Sequence, residues 1–160
     1  MSDTTKRIIW NHDNGCVAIT APVEKSDATI EEIVAKAVPS GKSYQVVDVS
    51  VIPTDRAFRD AWAISGSTIV TDMTKAKEIH KARIRLAREP KLAALDIEFQ
   101  KAQETSADTS AIVAKKNALR DAPADSAIDA ATDEAGLKAQ WNTSIFCLLY
   151  TSPSPRDNLP

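Results

Sequence analysis

Apolar and polar positions alternate over residues 44–52, which is the pattern of a β-strand. Val47, Val49 and Val51 share one face of this strand. The opposite face is mixed and holds Tyr44, Val46, Asp48 and Ser50. One apolar and one mixed face are typical of an antiparallel sheet that is covered on one side.

Two β-prone runs precede this strand, at residues 7–10 and 16–20. The segment between them contains Asn14-Gly15, a pair that supplies the positive φ angles of tight hairpin turns. Further along, Thr29 and Glu32 have the spacing of a capping box, and an apolar helical face follows as far as the turn at Pro39. The pattern therefore predicts a β-hairpin and then a helix over residues 29–37, which covers the apolar face of the sheet.

The segment after Pro53 predicts a short helix. Thr54 is expected to be its N-cap, and Asp55 would lie at the positive end of the helix dipole. Phe58 and Trp62 are four residues apart, which places them on one side of a helix. We expect these two rings to join the sheet to a helical arm.

The arm follows a predicted linker at residues 63–71, in which residues 68–70 could form a short strand. Asp72 can cap a long helical pattern, whose first apolar positions are Met73, Ala76, Ile79, Ala82 and Leu86. Pro90 interrupts the pattern, and a kinked helix is favoured over two abutting helices. Leu92–Gln103 and Ser110–Asp121 are predicted to pair as an antiparallel hairpin, with Asp108 or Thr109 capping the second helix.

These elements predict an α+β fold, with a small antiparallel sheet covered by one helix and followed by a kinked helical hairpin and a disordered tail. The predicted divisions are a head at residues 1–62, the linker at 63–71, the arm at 72–144 and the tail at 145–160. The net charge of −2 gives no bulk attraction to nucleic acid or to anionic membranes. No run approaches the ~18 apolar residues of a membrane span, and the N-terminus lacks the apolar core of a signal peptide.

A continuous segment of the head resembles one found in small proteins of tailed bacteriophages. Its pattern is P-S-G-x-x-Y-x-V-V-D-x-S-x-I-P-T-D-R-x-F-R-D-A-W, and residues 39–62 match it. The likeness covers roughly residues 7–140, and such proteins are either uncharacterised or labelled as associated with the tail fibre or with tail assembly. The resemblance supports a phage protein more directly than a tail-fibre protein.

The resemblance implies a non-enzymatic structural or assembly protein that acts through protein–protein contacts, in the host cytoplasm or in the virion. The expected partner is a phage structural or assembly protein, with the tail fibre as one candidate, and a homo-oligomer is also open. The candidate residues for protein contact or packing are Tyr44, Asp55, Arg56, Phe58, Arg59 and Trp62.

A basic run at residues 75–91 supports an alternative, a small DNA- or RNA-binding accessory protein. Its candidate contacts are Lys75, Lys81, Arg83, Arg85 and Arg88. A solvated helix face is favoured over this interpretation, because no aromatic residue lies between the charges to stack on bases.

Catalytic and metal-binding patterns are absent from the sequence, so no enzyme activity and no cofactor are predicted. Cys16 is expected to be a small apolar residue, with a reactive thiol as the less favoured alternative. The two histidines are expected to be surface or half-buried residues, His12 in a turn and His80 within the basic run. Two cysteines give no disulfide framework, so a reducing cytosol is the default compartment.

The last segment differs in character from the rest. Residues 147–157 resemble translated sequencing-adapter sequence at the ends of metagenomic reading frames, and a natural proline-rich tail is the alternative. We expect residues 147–160 to contribute nothing to the fold, since three prolines remove backbone donors.

Overall fold

The computed structural model describes residues 5–22 and 28–143, which form two compact units divided between Ala76 and Lys77. An antiparallel sheet in the first unit and several helices confirm the predicted α+β class. The expected disorder of the tail concerns residues that lie outside this description.

Three strands form the main sheet of the first unit: β1 (Lys6–Asn11), β2 (Val17–Thr20) and β3 (Tyr44–Asp48). They pair antiparallel in the order β2-β1-β3. The β1–β2 turn confirms the predicted hairpin: the His12 N–H donates to the Cys16 carbonyl at 2.9 Å, and Gly15 has a φ of +80°. A side chain at position 15 would be strained at that φ.

Strand β3 ends four residues earlier than the alternation predicts. The Asp48 carboxylate accepts a hydrogen bond from the Ser50 N–H at 3.0 Å and caps a 3₁₀ turn over Val49–Val51. Val49 is thereby turned outward, with 41% of its surface exposed. The expected sharing of one strand face by three valines is therefore wrong.

The segment predicted as a linker is a second β-hairpin, which confirms the possible strand at residues 68–70, and the short helix predicted after Pro53 is absent. Its strands are β4 (Trp62–Ser65) and β5 (Thr68–Thr71), so Trp62 begins a strand instead of ending a helix. Before them, the Asp55 carboxylate accepts from the Ala57 N–H at 3.0 Å, and a 3₁₀ turn spans Arg59–Ala61. The chain follows this route because it brings both Phe58 and Trp62 into the core, where they are 0% and 1% exposed.

The two faces of the main sheet bury different clusters. Helix α1 (Ile30–Ala37) packs against Ile8 and Trp10, whereas Val47 lies on the other face with Trp62 and Ile69. The prediction that α1 covers the Val47 face is therefore wrong, since the β4–β5 hairpin occupies it. The capping box itself is confirmed: the Glu32 N–H donates to the Thr29 hydroxyl at 3.3 Å, and the Thr29 N–H donates to the Glu32 carboxylate at 3.0 Å.

A long helix, α2 (Met73–Glu104), runs without a break through Pro90, which excludes two abutting helices. Asp72 caps it as predicted, because its carboxylate accepts from the N–H groups of Thr74 and Lys75. Helix α3 (Ser110–Asp121) follows, with the Asp108 carboxylate accepting from the Ser110 N–H. An ion pair of 2.5 Å between Lys116 and Asp96 joins the two helices as a hairpin.

Two short helices complete the second unit: α4 (Ser126–Ala130) and α5 (Glu134–Ala139). Asp125 and Asp133 are their N-caps, and their carboxylates accept from the N–H groups of Ala127 and Gly136. The buried residues of this unit include Ile84, Leu119, Ile128, Leu137 and Trp141. Within the described ranges, no helix combines the length and apolar character needed to cross a membrane.

Candidate protein-contact surfaces

The six contact-or-packing candidates separate into anchors and surface residues. Phe58 and Trp62 are buried, so their role in the chain is packing. The remaining four are exposed: Tyr44, Asp55, Arg56 and Arg59. Three of these four belong to one loop, residues 53–60, which we call the docking loop.

The docking loop is anchored near one end by a buried side chain, and backbone hydrogen bonds within it fix its conformation. Phe58, which is 0% exposed, anchors the loop through its buried ring. The Ala61 N–H donates to the Phe58 carbonyl at 2.8 Å, and the Arg59 N–H donates to the Arg56 carbonyl at 3.2 Å. These bonds hold charged side chains on a loop whose backbone is ordered by local contacts, which is a favourable arrangement for recognition.

A cavity of about 280 Å³ adjoins the docking loop. It lies between the loop and the β1–β2 turn, and its lining residues are His12, Asn14, Cys16, Val17, Ala18, Arg59 and Asp60. The Cys16 thiol donates to the Asp60 carbonyl at 3.9 Å, and the His12 Nδ1 accepts from the Asn14 N–H at 3.3 Å. The thiol and the imidazole each form a hydrogen bond with the backbone, and the cavity offers a concave surface of mixed polar and apolar character.

Metal chemistry has no assembled ligand set in the part of the chain that the structure describes. Across residues 5–22 and 28–143, no group of three or more His, Cys, Asp or Glu side chains converges on a common point.

The outer strand of the main sheet forms a second surface, which we call the β3 edge and define by Tyr44, Val46 and Asp48. Tyr44 and Val46 are 46% and 41% exposed, although each lies opposite a buried residue of β1. A hydrogen bond from the Ser50 N–H, supported by the nearby Lys6 ammonium, lowers the pKa of the Asp48 carboxyl. Sequence analysis named Tyr44 here and missed Val46, which the two-residue strand period places on the same face.

Several side chains of the basic run form hydrogen bonds or ion pairs with other parts of the protein. Lys81 contacts the Asp129 carboxylate at 2.7 Å, and Lys77 donates to the Asp129 carbonyl at 2.7 Å. Arg88 donates to the Arg120 carbonyl at 2.6 Å. The hydrogen bond with Asp129 raises the pKa of Lys81 and, reciprocally, lowers that of Asp129.

Two further candidate contacts of the run differ in their surroundings. Lys75 donates to the Gly15 carbonyl at 3.3 Å, within the first unit. Arg85 projects from an exposed position of α2. Several of these cations therefore serve internal contacts that a phosphate group would have to displace.

His80 is fully buried, which corrects the prediction of a surface or half-buried residue. Its ring packs edge-on against Trp141 at 6.0 Å between centroids. Burial, with a smaller contribution from the Arg83 charge, lowers the pKa of His80 to about 4. The four-residue spacing of Ala76, His80 and Ile84, all buried, is the signal that sequence analysis missed.

No protein-family model, curated protein or solved structure matches this chain.

Proposed function

We propose that this chain is a non-enzymatic protein of a bacteriophage tail or tail-fibre assembly system, and that it acts by docking on a structural partner through the docking loop. One observation supports this most: the phage-like segment divides into buried anchors, Phe58 and Trp62, and exposed charges, among them Arg56 and Arg59. The phage assembly system is inferred from the sequence resemblance, and the contact surface is inferred from the exposed charges of the docking loop.

The docking loop has the features of a contact surface. Arg59 lines the cavity together with Asp60, so the loop presents opposite charges beside a concave site. Arginine is enriched at interfaces because its planar group pairs with carboxylates and packs on apolar surface. A purely apolar partner surface would not pair with the charges of Arg59 and Asp60. We therefore expect a partner with a projecting polar or charged side chain.

A binding experiment tests this proposal. It uses the structural proteins that are encoded by the genes on either side of the gene for this chain. Arg59→Glu is expected to weaken binding at least tenfold, measured by isothermal titration calorimetry with purified proteins, because charge reversal places a like charge against the partner. Arg85→Glu is the matched control, since Arg85 is also an exposed arginine but lies on α2. Equal affinities of the two variants, or no binding by any neighbouring structural protein, would contradict the proposal.

Nucleic-acid binding through the basic run is the second candidate, supported by the exposed Arg85 beside Arg83 and Arg88. We rank it lower because Lys77, Lys81 and Arg88 are bonded internally. Affinity for random duplex DNA is expected to be undetectable at physiological salt in a fluorescence-anisotropy titration. Micromolar binding that falls steeply with salt, and that is lost on changing Arg83, Arg85 and Arg88 to Ala, would reverse this ranking.

A further inference from the structure

The hydrogen-bonding pattern of β3 shows which of its backbone groups face away from the sheet. The Val49 N–H donates to the Thr5 carbonyl at 2.7 Å, so these two residues form a hydrogen-bonded pair of the β1–β3 ladder. Such pairs alternate along an antiparallel ladder, and the register then directs Gln45 and Val47 toward β1. The N–H and C=O groups of Tyr44 and Val46 and the N–H of Asp48 therefore point outward, whereas the Asp48 carbonyl belongs to the 3₁₀ turn that Asp48 caps.

These outward groups have no backbone partner within residues 5–22 and 28–143, because the sheet order places β3 outermost. The usual protections of an open edge are also missing here. Strand β3 contains neither Pro nor Lys, and Lys42, just before it, is ion-paired with Asp13. The edge is thus a template for an added strand.

We propose that two copies of this chain pair through the β3 edge, antiparallel, about a two-fold axis at Val46. In that register, Val46 lies opposite Val46 of the second copy, and Tyr44 lies opposite Asp48. The Val46 pair exchanges two main-chain hydrogen bonds, and the Asp48 N–H of each copy donates to the Tyr44 carbonyl of the other. The two sheets then become one continuous sheet.

The edge is self-complementary in charge and in apolar surface. Asp48 meets a neutral Tyr44, and no like charges lie opposite each other along the strand. The exposed side chains of Tyr44 and Val46 lie on one face of β3, so pairing joins them to their copies as one apolar patch across the junction. This fit favours a second copy over an unrelated extended peptide, whose sequence would have to match the same pattern.

Sedimentation equilibrium of the full chain tests this proposal. The mass is expected to rise with concentration from 17.3 kDa toward twice that value. Val46→Lys should leave the chain monomeric at concentrations where the original protein is dimeric, because the pairing would bring two ammonium groups together. Val70→Lys is the matched control: Val70 is 44% exposed on β5, but its register with Ala63 directs its backbone groups to β4.

Cysteine crosslinking checks the register independently of Val46→Lys. With Cys16 and Cys147 replaced by Ser, Val46→Cys is expected to form a disulfide-linked dimer under mild oxidation. The reason is that opposed hydrogen-bonded residues lie about 5.5 Å apart at Cα, which a disulfide spans. Val70→Cys in the same background should remain monomeric.

Three outcomes would overturn the proposal. They are a monomer at every concentration, a dimer that Val46→Lys leaves intact, and a monomer whose Val46 amide is protected from hydrogen exchange until the chain is ended at Ser144. The last result would assign the edge to the chain's own residues 145–150. This inference goes beyond the proposed docking function. Partner binding is tested with Arg59→Glu and dimerisation with Val46→Lys, so either proposal can fail without the other.

Discussion

The two units of this protein differ in how completely they bury their apolar residues. The main sheet of the first unit is covered on both faces, and Ile8, Ile9, Phe58 and Ala61 are all 0% exposed. In the second unit, no residue from 85 to 118 is buried, although this stretch includes most of α2 and α3. A three-layer arrangement gives each apolar side chain neighbours on several sides, whereas a pair of helices leaves each helix covered on one side only.

The difference has consequences for local stability. Free energies of local opening increase with buried apolar contact, so the sheet unit should open rarely and the far end of the α2–α3 hairpin often. The hairpin relies on contacts at its seam, where the Lys116 ammonium pairs with Asp96 and lies 5.0 Å from the centre of the Phe99 ring. Leu86 and Ile97 are 70% and 55% exposed and contribute little to a core.

The largest effect is expected from Trp62→Ala. Trp62 is 1% exposed and packs in one cluster with Ile9, Val47 and Ile69, so the substitution should lower the free energy of unfolding by about 3–5 kcal/mol. Urea denaturation followed by far-UV circular dichroism measures this loss. Leu86→Ala is the control, with a change within about 0.5 kcal/mol. Similar losses in the free energy of unfolding for both variants would contradict the difference in burial between the two units.

A pH-dependent loss of stability is expected in the second unit alone. The pKa of His80 is about 4 in the folded protein and 6.5 as its ordinary value, so the unfolded chain binds the proton more readily. This contribution to stability is complete above about pH 6.5 and falls by roughly 3 kcal/mol as the pH drops through 4.

Amide hydrogen exchange between pH 4 and pH 7, corrected for the intrinsic rates, locates this loss. Protection should fall with decreasing pH in residues 77–143 and remain constant in the β1–β3 ladder. His80→Gln should flatten the dependence in the second unit, because a glutamine does not titrate. A slope that persists in the variant would show that other groups cause it.

A smaller effect is expected at the hairpin seam. Lys116→Ala removes the ion pair with Asp96 and the contact with the Phe99 ring, which together should stabilise the hairpin by about 1 kcal/mol. Exchange protection of α3 amides should fall accordingly, while that of β1 stays unchanged. Lys115→Ala, at an exposed neighbouring position, should have no such effect. Equal changes for the two lysines would mean that the seam contacts contribute nothing specific.

The smallest effect is expected from ending the chain at Ser144. Residues 147–160 lie outside the described residues and are predicted from their proline content to add nothing to either unit. The midpoint of thermal unfolding should be the same for the shortened and the full chain. A large decrease would show that the tail is a native element and that its resemblance to adapter sequence is misleading.

Local features of this fold were predictable because their causes lie within a few residues. Thr29 and Asp72 each accept a hydrogen bond from a backbone N–H two or three positions ahead, so spacing alone identifies them as caps. The Asn14-Gly15 turn was predictable for the same reason. The candidate contact residues were identified from sequence resemblance, but the resemblance did not separate buried Phe58 from exposed Arg59.

Features that depend on distant parts of the chain were decided only by the tertiary structure. A β-strand has two faces, and the alternation in β3 does not say that α1 covers one of them while the β4–β5 hairpin covers the other. Trp62 begins a strand and His80 is fully buried because residues far away in the chain, such as Ile9 and Trp141, complete their surroundings. Short-range hydrogen bonds thus determined where elements begin, and long-range burial of apolar surface determined which faces meet.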